Sequence, residues 1–426
     1  MNLTEQMTEI GRTARSAARE LNRLSTAEKN DCLNAMADAL MKSAESIQAA
    51  NAKDLETAKE MGLSKAMIDR LELTDQRIEG MAQGLREVAE LPDPTGRILD
   101  ERTRPNGLEL KKIAVPIGVI LIIYESRPNV TADAASLCLK SGNAVILRGG
   151  KEAIHSNQAI ASIMVNAAQE AVANFPTEAI QVVPTTDREA VPILLSLTEH
   201  IDLCMPRGGE GLIRAVAEAS RIPVIKHYKG VCHVYVDGEA DTDMATAITV
   251  NSKCQRPGVC NAIETLVVDK TIAEEFLPQA ATALAEQNVE LRADEASREI
   301  LSRADTPANI TAATDADWPE EYLDLVLAVK VVNGVDGAID HINQFGSGHS
   351  DCIVTANEQT ARQFQAEVDS SAVYWNASTR YTDGQQFGMG AEIGISTDKI
   401  GARGPMGLEE LTTYKWQVTG NGQVRE

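Results

Sequence analysis

Apolar residues recur at helical spacing from the start of the chain. Ile10, Ala14, Ala17, Leu21 and Leu24 fall on one face of a helix, and Leu33, Met36, Ala37 and Leu40 on one face of a second. Ser25 followed by Glu28 supplies a capping box for that second helix. Helical patterning continues to about Leu91, where PDPTG (92–96) breaks it. Short apolar runs then alternate with amphipathic ones. The pattern predicts strands at 114–124, 144–147, 180–183, 201–204 and 223–225, with helices at 131–140, 155–173, 188–197 and 211–220 between them. A second unit begins near Lys226, with strands at 233–236, 263–268, 325–332 and 352–355 and helices at 244–251, 272–287, 335–343 and 358–368. The stretch 294–319 reads as a loop-rich insert, and the glycine-rich tail from Tyr374 is expected to cross back over the first unit. Buried strands alternating with helices indicate two α/β units built on parallel sheets.

Composition narrows the functions. The chain has 426 residues, 43% of them hydrophobic and 24% charged, which is an ordinary globular mix. Its net charge of −22 repels phosphate backbones, so nucleic acid is not an expected partner. No apolar run approaches the roughly 20 residues of a membrane span, and no signal-peptide core is visible at the start. The seven cysteines are scattered, with no CxxC pair, as in a reduced cytoplasmic protein.

Two kinds of segment carry candidate chemistry. LRGG (147–150) and PRGGEG (206–211) each join a strand to a helix. Glycine lets a ligand approach the backbone closely, and helix-start amides suit a pyrophosphate, so Gly149, Gly208 and Gly209 are candidate cofactor residues. On spacing alone either turn is equally well an ordinary strand–helix connection. The segment VNSKCQRPGVCNAIETLVV (250–268) ends a helix, turns through Arg256, Pro257 and Gly258, and presents Cys260 before a strand. Lys253 and Arg256 could favour its thiolate, although by residue type a buried structural cysteine fits as well. Cys232, His233, His227, Cys254 and Cys260 match no usual zinc spacing, and His155, His200, His341 and His349 stand alone.

The same VNSKCQRPGVCNAIETLVV segment resembles the active-site stretch of the gamma-glutamyl phosphate reductase family, also called glutamate-5-semialdehyde dehydrogenases. IIYESRPNVTADAASLCLKSGNAVILRGGKEAIHSN (122–157) and GARGPMGLEELTTYKW (401–416) resemble its nucleotide-domain and C-terminal signatures. The family sits in the aldehyde dehydrogenase superfamily. The resemblance implies a nucleotide-binding domain (1–225, with 97–113 in a small oligomerisation arm), a catalytic domain (226–372), and a return to the first domain and arm (373–426). It implies NADPH as cofactor, L-glutamyl 5-phosphate as substrate and the second step of proline biosynthesis as the setting. It also implies a cytoplasmic homo-oligomer functionally associated with glutamate 5-kinase.

By resemblance Cys260 is the nucleophile, Cys254 is not, and Asn129 of SRPN (126–129) donates to the oxyanion. Arg148 falls where a lysine usually touches the adenine ribose, and Glu321 where a glutamate usually holds the nicotinamide ribose. Arg127, Lys253 and Arg256 are the expected anion partners of the substrate. Hydrolytic relatives carry Glu-Leu-Gly-Gly where this chain has HYKG (227–230), so the water-activating carboxylate is missing. That departure fits phosphate as acyl acceptor and fits CoA equally. A CoA-acylating dehydrogenase and a non-catalytic nucleotide-binding protein are the competing readings.

Overall fold

The computed structural model describes residues 1–425 and divides into two compact units. The first holds residues 1–226, 388–394 and the chain from Met406 onward; the second holds 227–387 and 395–405.

The first unit opens with helices Leu3–Leu21 and Thr26–Lys42, each started by a capping box, Asn2 with Glu5 and Ser25 with Glu28. Its parallel sheet has the order Ile180–Val182, Ala144–Arg148, Val119–Tyr124, Leu203–Arg207. VILIIY (119–124) and AVILR (144–148) are buried at every position. Both faces of such a sheet are covered, so its strands are apolar throughout rather than alternating. A separate antiparallel sheet joins Ile98–Thr103, Glu109–Pro116 and Thr412–Thr419.

The second unit is a seven-stranded sheet ordered Asn309–Ala312, Glu290–Ala293, Val326–Val332, Ile263–Asp269, Cys232–Val236, Ser350–Val354, Ala372–Trp375. Every neighbouring pair is parallel.

Four expectations need correction. The run 114–124 is not one strand. It divides at Gly118, whose φ of 133° no side chain favours and where an added Cβ would lie 2.2 Å from Asp202 Oδ2. Its two halves belong to different sheets. The stretch 223–225 makes only an isolated bridge, Val224 to Cys204. The insert 294–319 holds a helix, Glu295–Ser302, and a sheet-edge strand, Asn309–Ala312. The second unit also keeps residues 373–387, beyond the boundary expected at 372, because strand Ala372–Trp375 extends its sheet and residues 378–382 bond within it.

Candidate active site

Helix Thr242–Cys254, capped by Asp241, leads into a loop at 255–262 and then into strand Ile263–Asp269. Cys260 lies near the end of that loop. It and Cys254 are half-buried, whereas the other five cysteines are buried. Cys260 is therefore not a core filler.

The loop is braced from four directions. At its base Lys253, on the last turn of the helix, meets Glu264, near the start of the strand, at 2.6 Å with both side chains fully buried. The pair closes the loop like a clasp. Burial pushes the Glu264 carboxyl up to about 7 against the pull of Lys253, and lowers the Lys253 ammonium. Glu264 Oε1 also accepts the N–H of Leu323 (3.2 Å), a residue held at a φ of 54°. This corrects one expectation. Lys253, expected as an anion partner of the substrate, is fully buried and its ammonium is paired with Glu264.

The second brace is Gly230, the last residue of HYKG. A Cβ there would lie 2.1 Å from the Cys260 carbonyl oxygen and 2.5 Å from its Cα, so only glycine allows this approach. The Gly230 N–H donates to Glu321 Oε1 at 2.8 Å, and Lys229 meets Glu320 at 3.3 Å. Both glutamates of EEYLDLV thus fasten HYKG, and Glu321, expected at a ribose, spends one oxygen on this loop.

The third brace lies beneath the backbone. The Cys232 thiol donates to the Cys260 carbonyl (Sγ···O 3.2 Å) and touches His349 Nδ1 at 3.7 Å. Burial raises the Cys232 thiol well above its ordinary range, so the proton that makes this bond stays on sulfur. Burial likewise pushes His349 down to about 3, with His227, 6.0 Å away ring to ring, adding to the effect. His349 is a neutral imidazole at physiological pH.

The fourth is a strap at residues 378–382. Ser378 Oγ meets Ser252 Oγ at 2.9 Å, and Thr379 Oγ1 donates to the Asn261 carbonyl at 2.7 Å. Asn261 Nδ2 donates to the Thr382 carbonyl at 2.8 Å. Arg380 donates from Nε to Gln255 Oε1 at 2.9 Å and from Nη1 to Asn261 Oδ1. Arg256 is exposed on the loop itself.

In the first unit the two glycine turns differ. At LRGG a Cβ on Gly149 would lie 2.1 Å from Asn157 Nδ2 and 3.1 Å from the Tyr124 ring, and one on Gly150 would lie 2.0 Å from Glu152 Oε1. The Arg148 guanidinium is nearly buried and folds over the carbonyls of Gly149, Thr186 (3.3 Å) and Asp187 (3.5 Å). Arg148 Nε and Asn157 Nδ2 are buried donors without partners. At PRGGEG, Gly208 presses on the Glu125 carboxyl, while a Cβ on Gly209 would have nothing within 4 Å. The Gly209 N–H, at the start of helix Glu210–Ala219, donates to Glu125 Oε2 at 3.2 Å. That helix end thus already holds a carboxylate, as its dipole favours. Orphaned donors and close-packed glycines fit a dinucleotide: the first turn can reach a ribose, the second a phosphate.

Asn129 opens helix Asn129–Lys140 and donates through Nδ2 to Asp133 Oδ2 at 2.9 Å. Burial raises Asp133 to about 6, opposed by that bond and by Arg207. Arg127 is exposed on the loop before this helix. Among the described residues no group of His, Cys, Asp and Glu could hold a metal ion, and no helix is long and apolar enough to cross a membrane.

Gly230, Cys232, Glu264, His349 and Arg380 were not singled out from sequence as site residues. Glu264 alone left a signal, being a carboxylate inside the apolar run AIETLVV that burial would oblige to find a partner.

Comparison with known proteins places these features in a family. The aldehyde dehydrogenase family model matches residues 3–299. The chain is 55% identical over 426 residues to a gamma-glutamyl phosphate reductase from Moorella thermoacetica and 54% identical over 426 residues to one from Geobacter metallireducens, covering 100% of both chains in each case. The crystal structure of gamma-glutamyl phosphate reductase from Thermotoga maritima superposes with a TM-score of 0.95 at 45% identity, covering 99% of this chain and 100% of that one. An acetylating aldehyde dehydrogenase from Geobacillus thermoglucosidasius, at 18% identity and a TM-score of 0.65, shares the fold. The chain belongs to the gamma-glutamyl phosphate reductases of the aldehyde dehydrogenase family.

Proposed function

We propose that this chain reduces L-glutamyl 5-phosphate to L-glutamate 5-semialdehyde with release of phosphate, the second step of proline biosynthesis from glutamate. The observation that carries this reading is Cys260 itself: a half-buried thiol on a loop fixed from four sides, in a chain 55% identical along its full length to relatives named for that reaction.

The Cys260 thiolate attacks the acyl carbon, the C–O bond to phosphate breaks, and a thioester remains on sulfur. A dinucleotide held at the two glycine turns would supply the hydride, and the thioester on Cys260 would thereby become a thiohemiacetal. Collapse of the thiohemiacetal breaks the C–S bond, returns the electron pair to Cys260 and releases the aldehyde. Both tetrahedral stages carry an oxyanion, which the Cys260 backbone N–H and the second Nδ2 hydrogen of Asn129 stabilise. Gly149, Gly208 and Gly209 would hold the dinucleotide, Arg148 the region of its adenine ribose, and Glu321 its nicotinamide ribose. NADPH is the proposed form, because an arginine can meet a 2′-phosphate with charge-assisted bonds. Arg127 and Arg256 are the proposed partners of the substrate's anionic groups. The setting is the cytoplasm, with the chain as a homo-oligomer that works in association with glutamate 5-kinase.

HYKG presents no carboxylate beside Cys260, so water finds no strong base, and base assistance is worth typically about 10²–10⁴-fold. Oxidation of glutamate 5-semialdehyde should therefore need inorganic phosphate. With phosphate omitted, NADPH should form in a single-turnover burst and then stall. Steady release of free glutamate would mean that His227 or another base activates water. Rescue by CoA would move the enzyme to the CoA-acylating class.

A further inference from the structure

Arg380 is held unusually for a cation in a half-buried place. Its two hydrogen bonds to the loop go to neutral amide oxygens, those of Gln255 and Asn261, which flank Cys260 in the chain. The backbone around it is fixed as well. Arg380 N–H donates to Ser378 Oγ at 3.2 Å, and Thr382 Oγ1 is tied to Ser350 Oγ at 2.6 Å and to Tyr374 OH at 2.7 Å. The guanidinium therefore has one location relative to the nucleophile loop. A guanidinium carries five N–H donors in a planar fork, and the two bonds to the loop use two of them. Burial opposes its charge, and Arg256 opposes it further, while Asp383 and the Cys260 sulfur favour it. Arg380, bonded to neutral oxygens on the loop, with Arg256 beside it and Asp383 as its nearby carboxylate, makes a local positive site in a chain of net charge −22.

We propose that Arg380, with Arg256 beside it, is the site that receives the phosphoryl group of the acyl phosphate and holds it as it leaves. The inference rests on the reductase reading above. The geometry favours phosphate over the substrate's α-carboxylate for a simple reason. The carbon that bonds Cys260 Sγ is the carbon that carries the phosphate, so the leaving group must lie beside the loop. The α-carboxylate lies at the far end of the glutamyl chain. The planar fork suits a phosphate's paired oxygens, and lysine would offer a point charge instead. In the forward direction Arg380 stabilises charge on the departing phosphate. In reverse it positions phosphate to attack the thioester.

The test uses the full-length enzyme in the oxidising direction, with semialdehyde, NADP and inorganic phosphate. In Arg380→Gln the phosphate KM should rise about ten- to hundredfold, the range of a lost charge-assisted contact. The phosphate KM should rise far more than the semialdehyde KM, and the NADPH burst without phosphate should persist, slowed only by the lost bonds to Gln255 and Asn261. Arg380→Lys should recover part of the phosphate affinity. Inorganic phosphate should slow alkylation of Cys260 by iodoacetamide in the parent and fail to do so in Arg380→Gln, a readout independent of turnover. A burst lost in both variants would make bracing of the loop the whole of Arg380's role and overturn the proposal. So would a raised semialdehyde KM with unchanged phosphate KM, which would assign it to the α-carboxylate. A parent enzyme that turns over steadily without phosphate would instead defeat the reductase reading itself, so the two failures are distinguishable.

Discussion

The loop that carries Cys260 and the glycine turns of the first unit are both fixed in place, by opposite means. The turns are fixed by what is missing. At LRGG any Cβ on Gly149 would collide with Asn157, 2.1 Å away, so the backbone lies against its neighbours with no side chain between. The Cys260 loop has Gly230 pressed on it, but most of its restraint comes from side chains reaching in from distant parts of the sequence. Cys232 and Arg380 both do this, while Glu264, just past the loop, closes its base on Lys253. A thiol that must meet an acyl carbon within a fraction of an ångström needs this bracing. A turn that receives a cofactor needs a backbone that no side chain of its own covers.

The sharpest way to break this contrast is at the sulfur. Cys260→Ala should abolish semialdehyde oxidation while leaving the fold and dinucleotide binding intact. Cys254→Ala should keep most activity, since burial pushes the Cys254 thiol pKa up and disfavours its thiolate. Steady-state rates with a cofactor-binding titration check both; reversed behaviour would move the nucleophile six residues earlier.

Next in size is the clasp. Lys253→Met leaves the buried Glu264 without its partner and should cost about 3–5 kcal/mol of unfolding free energy. The Glu264 carboxyl, already near 7, should rise further in that variant. A folded pKa above the ordinary 4.5 means that the native state binds the proton more tightly in that window. The variant should therefore lose stability as pH rises from about 4.5 through 7, and urea melts at pH 5 and 8 would show it. The double variant Lys253→Met, Glu264→Leu should regain much of the stability. If it also regained full activity, the clasp would be dispensable for chemistry.

Acid should reach the Cys260 side through its buried imidazoles. His341 and His349 are both held near 3 in the folded chain, chiefly by burial, against an ordinary 6.5. The unfolded state binds the extra protons, so stability is full above about 6.5 and falls as pH drops toward 3. At pH 5 the loss should be about 2 kcal/mol for each. His341 packs on Trp318 and Phe345, so His341→Phe should be accommodated and should flatten the acid limb of the stability curve. An unchanged slope would mean that carboxylates alone govern acid unfolding.

The smallest effect on the fold should come from Gly209→Ala. Nothing lies within 4 Å of the added carbon, so thermal stability should barely move. The same methyl would stand where a phosphate approaches the helix start, and the NADP Kd should rise several-fold. In Gly149→Ala the order reverses, with the melting temperature falling first. If both variants lost stability alike, the second turn would be a packed turn like the first.

The sequence by itself determined the two α/β units, because strands buried on both faces must be apolar at every position. VILIIY and AVILR say so without any partner being known. It also marked both glycine turns as strand–helix connections and Cys260 as lying on a turn before a strand, since these are local patterns carried by adjacent residues. It misjudged 114–124, where hydrophobicity runs unbroken across a break made by the backbone angle at Gly118. It could not show that Lys253 belongs to Glu264, because eleven residues separate them and only the return of the strand brings them to 2.6 Å. Nor could it show that Arg380, 120 positions beyond Cys260, ties down both sides of its loop. Periodicity reports which face of an element is buried. Which charge lies against which, and which sulfur is held ready, is decided only when distant segments pack.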